Sequence, residues 1–557
     1  MAKQELPESL SSAERNALGA LKPEIGHVRS SGLITHFMQH GALQSYVADA
    51  TVAAKRSALE KSRPGEMSRP GMGEGVQGAF EKLQDVAQFF FQKLDKSFEY
   101  AIPSQLIAYL AVPLPGRDSG KMYNTEYQPS DLPASITFMG QFIDHDLTKN
   151  AMHLLDPQDG NVPDVASPYI DLDSVYGPRS DDNPNDPANQ GGAASPRESD
   201  GRFKLRKLDD SFNAYDVIRE NNVAQIEDGR NDENQLILQV HLLIMRVHNL
   251  LISQKKMTAE QAQRETIFNW QSVVLNDHQA SVLDPKIREE VLEDLRQEAS
   301  KPGSGPDRLK YRPQNKALKL PHEFAIAFRY GHSQLRDVYY LSESRFFTLF
   351  DNLQPGPNFT DLRGNRPLTV DHVIDWPYFI DPADENRKSN QLDTKIASDV
   401  FNLPESAVPD GSSKFLGNLP QRNLIRSREI GLTSGEKLFD FYFGAGAPGK
   451  LTPDEIEPDK SKQALFELQA GAGFQTPLWY YVLKEAELNK GLEGRRLGKL
   501  GSRLVGEVVG GAIYYNPVSF TNEPEWKSAI TDSNVVTMKE LVKFVTDKDA
   551  TAPSWPD

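Results

Sequence analysis

The sequence predicts a mainly α-helical fold with long loops and little strand, on three observations. The first is Gln235–Ile252 (QLILQVHLLIMRVHNLLI), apolar over the length of a long helix but interrupted by His241, Arg246, His248 and Asn249. A lipid-facing helix would carry those groups at high cost, so the segment reads as a buried core helix, and no membrane span is expected. The second is that helical segments alternate with loop-like stretches from about Ala101 onward. The third is that no series of short alternating strands punctuated by turn dipeptides occurs. Before residue 100, amphipathic pieces around Leu33–Val52 and Ala79–Phe98 flank a glycine- and proline-rich stretch beginning at Ser62. The reading is an N-terminal helical extension, 1–100, ahead of one main domain, 101–557. Ser180–Gly201 has almost no apolar residue and is expected to be a solvated loop or a disordered excursion; the tail from Asp547 is expected to fray.

Composition removes several functions. Among 557 residues, 62 Lys+Arg stand against 78 Asp+Glu, a formal balance of 62 − 78 = −16. No basic stripe is present to replace the counterions of a polyanion, which argues against a nucleic-acid groove. At 38% hydrophobic and 25% charged, the chain has the makeup of a globular protein with a large core. Zero cysteines exclude disulfides, a thiolate nucleophile, Cys-bound zinc, iron–sulfur clusters and Cys-ligated haem. Metal ligands must come from His, carboxylate, Tyr or Met. The opening MAKQELPESLSSAERN carries no apolar run of signal-peptide length, so the expectation is a cytoplasmic protein or export by a leaderless route.

Five segments concentrate reactive side chains. In Phe138–Thr148 (FMGQFIDHDLT), Gln141 and His145 stand at i and i+4 on one helix face, while Asp144 and Asp146 project elsewhere, so one turn is able to serve two sites. Taken alone, the segment also fits a capped helix end at the surface. In Ser167–Gly177 (SPYIDLDSVYG), Ser167, Asp171 and Asp173 offer hard oxygen donors of the kind calcium takes, although the spacing is not that of an EF-hand and an Asx-rich turn fits too. Asp228–Asn234 (DGRNDEN) sets Arg230 and Glu233 ahead of the apolar helix, where acidic groups also favour the helix dipole. Phe324–Ser333 (FAIAFRYGHS) brings His332 to the end of an apolar run, a place where core histidines are common. Asn423–Gly431 (NLIRSREIG) reads by itself as an exposed charged helix.

In this order the five segments resemble the animal-type haem peroxidase superfamily, the group that includes myeloperoxidase, lactoperoxidase and peroxinectins, and a bacterial member is the expectation. The resemblance spans about Ala101–Phe443, and the remainder is expected to belong to the same domain. It implies a haem b held between core helices, with His145 as the distal histidine that takes a proton from peroxide and returns it to the leaving oxygen. It implies Arg230 as the distal arginine stabilising charge as the O–O bond breaks, and Gln141 as a hydrogen-bond partner of distal water or halide. His332 matches the proximal iron ligand and Asn423 the amide that accepts its second ring N–H. Arg329 and Arg426 match arginines near the haem propionates. Asp144 and Glu233 match carboxylates that become ester-linked to haem methyl groups in mammalian members. Asp146, Ser167, the Tyr169 carbonyl, Asp171 and Asp173 match a calcium site.

The implied activity is that of a peroxidase working through a ferryl intermediate, a role suited to a response to oxidative stress. Asn234 stands where myeloperoxidase has a methionine bonded to a haem vinyl group. Bromide, iodide, thiocyanate and phenols are therefore the expected reductants rather than chloride. Two alternatives remain at this stage. One is a haem-dependent fatty-acid dioxygenase of the same superfamily, in which the position of Arg329 is a tyrosine and Tyr330 is one place off. The other is a noncatalytic adhesion module on the same fold.

Overall fold

The computed structural model describes residues 89–90, 92–112, 120–148, 163–164, 166–177, 195–209, 212–313, 318–351, 360–404 and 417–548. The helical pieces expected within 1–88, residues 180–194 of the polar loop and the tail beyond 548 lie outside the described residues. Helices dominate, as the sequence reading held. The strands are two to six residues long and form two-stranded pairs among the described residues.

Four of the long helices begin at a side chain that caps their first backbone N–H groups. Helix α1 (Ser135–Leu147) follows directly on strand β1 (Pro129–Pro133). Helix α2 (Gln235–Lys255) starts at Asn234, whose side-chain oxygen accepts from the backbone N–H groups of Leu236 and Ile237. It is the one described helix long and apolar enough to cross a membrane, with mean hydropathy 1.5, but 78% of that window is buried inside the protein, so it is a core helix. Helix α3 (Ala259–Val273) opens on a Thr258/Gln261 capping box and runs into a π-helical turn, Val274–His278. Helix α4 (Pro285–Ser300) has Asp284 as cap and proline at its first position. Helix α5 (His322–Ala327) continues as a 3-10 turn, Phe328–Gln334, that carries His332. Helix α6 (Leu419–Ile430) is capped by Asn418 and stopped by Gly431 at φ 65°, a left-handed turn natural to glycine. Helices α7 (Leu478–Glu487) and α8 (Lys499–Tyr514) complete the core.

α1 packs on α2 and on the turn bearing His332; α5 packs on α7 and α8, and α6 on α5 and α7. One apolar cluster runs from Tyr100 to Val545, so the described C-terminal helices share the core of everything after residue 100. The end of the supposed extension is also stitched to it. Gln92 exchanges backbone hydrogen bonds with Leu320 and His322, and Leu94 N–H donates to Glu323. At the far end of the polar loop, residues 195–201 form a turn tied to Arg202 and Phe203, with Ser195 buried. Buried ion pairs brace the helices, chiefly Arg503 between Glu507 and Asp294.

A close backbone approach fixes the loop before α2. Gly364 N–H donates to the Glu233 carbonyl at 3.0 Å and Asn365 N–H to the Asp232 carbonyl at 2.7 Å. A Cβ added at Gly364 would fall inside the Asp232 carbonyl. Gly364→Ala is therefore expected to cost about 1–3 kcal/mol of stability, measured as a lowered Tm, because rigid backbone rather than a movable side chain fills the space.

Candidate functional site

Helix α1 and the loop Asp228–Asn234 interlock. Arg230 Nη2 donates to the His145 carbonyl at 2.9 Å. His145 Nδ1 lies 2.8 Å from Asn231 Oδ1, and its Nε2 lies 3.9 Å from Glu233 Oε1. Gln141 Nε2 donates to the same Glu233 oxygen, and Asn234 Nδ2 donates to Gln141 Oε1 at 3.3 Å. Gln141 and His145 thus meet at Glu233, as their i, i+4 spacing requires. Arg230 is aimed by Asp228, which accepts from its Nε at 3.1 Å and its Nη2 at 2.7 Å.

These groups lie deep in the molecule and yet remain accessible. Arg230 keeps 32% and Glu233 43% of side-chain surface exposed, so neither is sealed in a packed interior. Burial works against the Arg230 charge, but Asp228, Asp144 and Glu233 together outweigh it and hold the guanidinium above the ordinary arginine range. Burial pushes Glu233 up to about 7, against the pull of Arg230 and reinforced by Asp228 and Asp144. Asp144, half-buried, is raised by burial and opposed by both Arg230 and Arg329. It is therefore within electrostatic reach of both arginines.

On the side of Arg329, His332 Nδ1 lies 2.8 Å from Asn423 Nδ2, and Arg329 Nη1 donates to Asn423 Oδ1 at 3.0 Å. Arg329 occupies the amide oxygen here, so in this arrangement the Asn423 NH2 group faces the ring. His332 Nε2 makes no hydrogen bond to a described residue. Burial, then Arg329 and Arg422, lower the His332 pKa to about 3, which keeps the ring neutral. Trp479 of α7 stands edge-on to it, 6.3 Å between ring centres. Arg426 is brought down to about 9 by burial and the nearby Arg329, with Glu429 opposing.

Behind α1, Asp146, Asp171 and Asp173 bring carboxylate oxygens within 4.8 Å of one another, all buried. Asp146 Oδ2 accepts from the N–H groups of Asp171 (3.1 Å) and Leu172 (3.0 Å), while its Oδ1 has no partner. Ser167 Oγ donates to Asp171 at 2.7 Å and Ser167 N–H to Asp173 at 2.8 Å. Leu172 takes a left-handed conformation, φ 60°, unusual for a branched residue and imposed by this tight loop. Burial and then Asp171 drive the Asp146 carboxyl well up. Tyr169, half-buried, lies in the same loop.

Sequence reasoning missed Asn231, His241, Asp228 and Arg422. Arg422 carries a faint signal, four residues before Arg426 on one helix face. The Asn231–His241 contact (3.1 Å) spans a loop and a helix and had none.

The family model for animal haem peroxidases matches residues 158–434, and the chain belongs to that family. The matched stretch holds Arg230, Glu233, His332 and Asn423; Gln141, Asp144, His145 and Asp146 precede it. No curated protein matches the chain by sequence. Among solved structures, peroxidase A of Dictyostelium discoideum is 16% identical with TM-score 0.49, covering 85% of this chain and 95% of its own. A fatty acid alpha-dioxygenase of Oryza sativa is 12% identical with TM-score 0.47, covering 97% and 94%. Membership implies haem. The residues fit one: a neutral imidazole whose Nε2 makes no hydrogen bond to a described residue, with the guanidinium groups of Arg329 and Arg422 near it.

Asp228→Ala is expected to cost about 2 kcal/mol in a denaturation experiment, less than for a fully buried pair because Arg230 is one-third exposed.

Proposed function

We propose that the chain is a haem peroxidase that reduces hydrogen peroxide and oxidises small donors: bromide, iodide, thiocyanate or phenols. The observation that carries the reading is the interlocked set His145, Arg230 and Glu233 together with the neutral His332, with Asp144 within electrostatic reach of both Arg230 and Arg329. Bound haem supplies the redox chemistry.

The chain supplies the rest. His332 would hold the iron through Nε2. That places its proton on Nδ1 and requires the Asn423 oxygen, so Arg329 must exchange that oxygen for another acceptor. A haem carboxylate is the natural one, with Arg426 as its neighbour. His145 Nε2 takes the proton from peroxide and returns it to the oxygen that leaves as water. Arg230, fixed by Asp228, stabilises the negative charge of that oxygen before the proton arrives. Gln141 and Glu233 border the same space, and Asp144 and Glu233 are the carboxylates in reach for ester links to the haem. Asp146, Ser167, the Tyr169 carbonyl, Asp171 and Asp173 would bind calcium, which supplies the positive charge that the buried carboxylates and the unpartnered Asp146 oxygen call for.

A fatty-acid dioxygenase reading gains nothing from Tyr330, whose hydroxyl turns to His278 Nε2 at 3.4 Å. Oxygen uptake with an unsaturated fatty acid would reverse that judgement.

Haem-loaded His145→Ala should keep its Soret band and lose peroxide-dependent oxidation of a phenolic dye by about 100-fold or more, whereas His332→Ala should lose the bound haem spectrum. Equal turnover in His145→Ala would defeat the assignment. Chelation with EGTA should lower the Tm and added calcium restore it; an unchanged Tm in protein shown by elemental analysis to have lost its metal would remove calcium from the account.

A further inference from the structure

Asn231 is fully buried and its side chain touches two histidines at once. Its Oδ1 lies 2.8 Å from His145 Nδ1, and its Nδ2 lies 3.1 Å from Nδ1 of His241 on α2. An amide has a donor end and an acceptor end, so the contact dictates where each ring carries its proton. The oxygen accepts, so His145 has its proton on Nδ1 and a lone pair on Nε2. The NH2 donates, so His241 has its lone pair on Nδ1. We infer that Asn231 is a positioning residue for the His145 base, fixing the tautomer in which Nε2 is able to accept a proton, while His241 takes the other end of the amide.

The surroundings support that assignment. His241 is fully buried against Phe142, and burial lowers its pKa to about 4, so it stays neutral and has one ring nitrogen with a lone pair able to receive the amide. Glu233, the carboxylate nearest to Nε2, is at 3.9 Å, beyond hydrogen-bond range, and receives its bond from Gln141. Turned the other way, the amide would leave the proton on Nε2, and His145 would hold geometry without basicity. A wrong tautomer in an otherwise intact site abolishes most general-base catalysis.

The inference rests on the peroxidase reading, and ligand binding to the haem-loaded protein separates the two. Hydrogen cyanide must give up its proton to bind ferric haem as cyanide, whereas carbon monoxide binds ferrous haem with no proton transfer. In Asn231→Leu, association of hydrogen cyanide and reaction with peroxide should slow by at least about tenfold while carbon monoxide association stays within about twofold. Asn231→Asp, which keeps an acceptor for Nδ1–H, should recover most of the cyanide rate. If Asn231→Leu does not load haem, His241→Leu carries the test, with a smaller slowing expected for cyanide and none for carbon monoxide. Slow cyanide binding in His145→Ala together with an unchanged rate in Asn231→Leu or in its substitute His241→Leu, or an Asn231→Asp protein as slow as Asn231→Leu, would overturn the role of Asn231 and spare the peroxidase reading. Unchanged cyanide binding in His145→Ala would overturn both.

Discussion

The interlock between one turn of α1 and the loop ahead of α2 governs the rest of the structure. Arg230 is bonded to the backbone of His145, His145 to Asn231, Gln141 to Glu233 and Asn234 to Gln141. No member of this set can shift alone. The turn is anchored from behind by Asp146, which accepts from two backbone N–H groups of the Ser167–Asp173 loop, and the loop is held from outside by the backbone around Gly364. A polar site buried this deeply costs stability unless nearly every group is satisfied. The dense bonding meets that cost and fixes the geometry together.

Several of these relations were legible in the sequence because they are local. The i, i+4 spacing of Gln141 and His145 gave their common face, and the divergence of Asp144 and Asp146 followed from the same helical geometry. The polar interruptions of Gln235–Ile252 identified a core helix correctly. Other relations were closed to sequence reasoning because they join distant segments. Nothing at position 231 announces contact with His145 and His241, and the orientation of the Asn423 amide is decided by Arg329, 94 positions away. The tie between residues 92–95 and 320–323 likewise gives no local sign that the segment before residue 100 is docked.

Charge placement gives the two flanks distinct characters. Around Arg230 the acids Asp228, Glu233 and Asp144 outnumber the base, whereas around His332 the guanidinium groups of Arg329, Arg422 and Arg426 crowd together. Asp144 faces both groups. An anionic group is therefore drawn toward the side of Arg329, Arg422 and Arg426.

Trp479 of α7 sits against His332, although the two are far apart in sequence. A ribosome releases the N-terminal portions first, and α7 and α8 must emerge before the wall beside the imidazole exists. The wall beside the imidazole therefore forms only after the segment that carries His332 has been made.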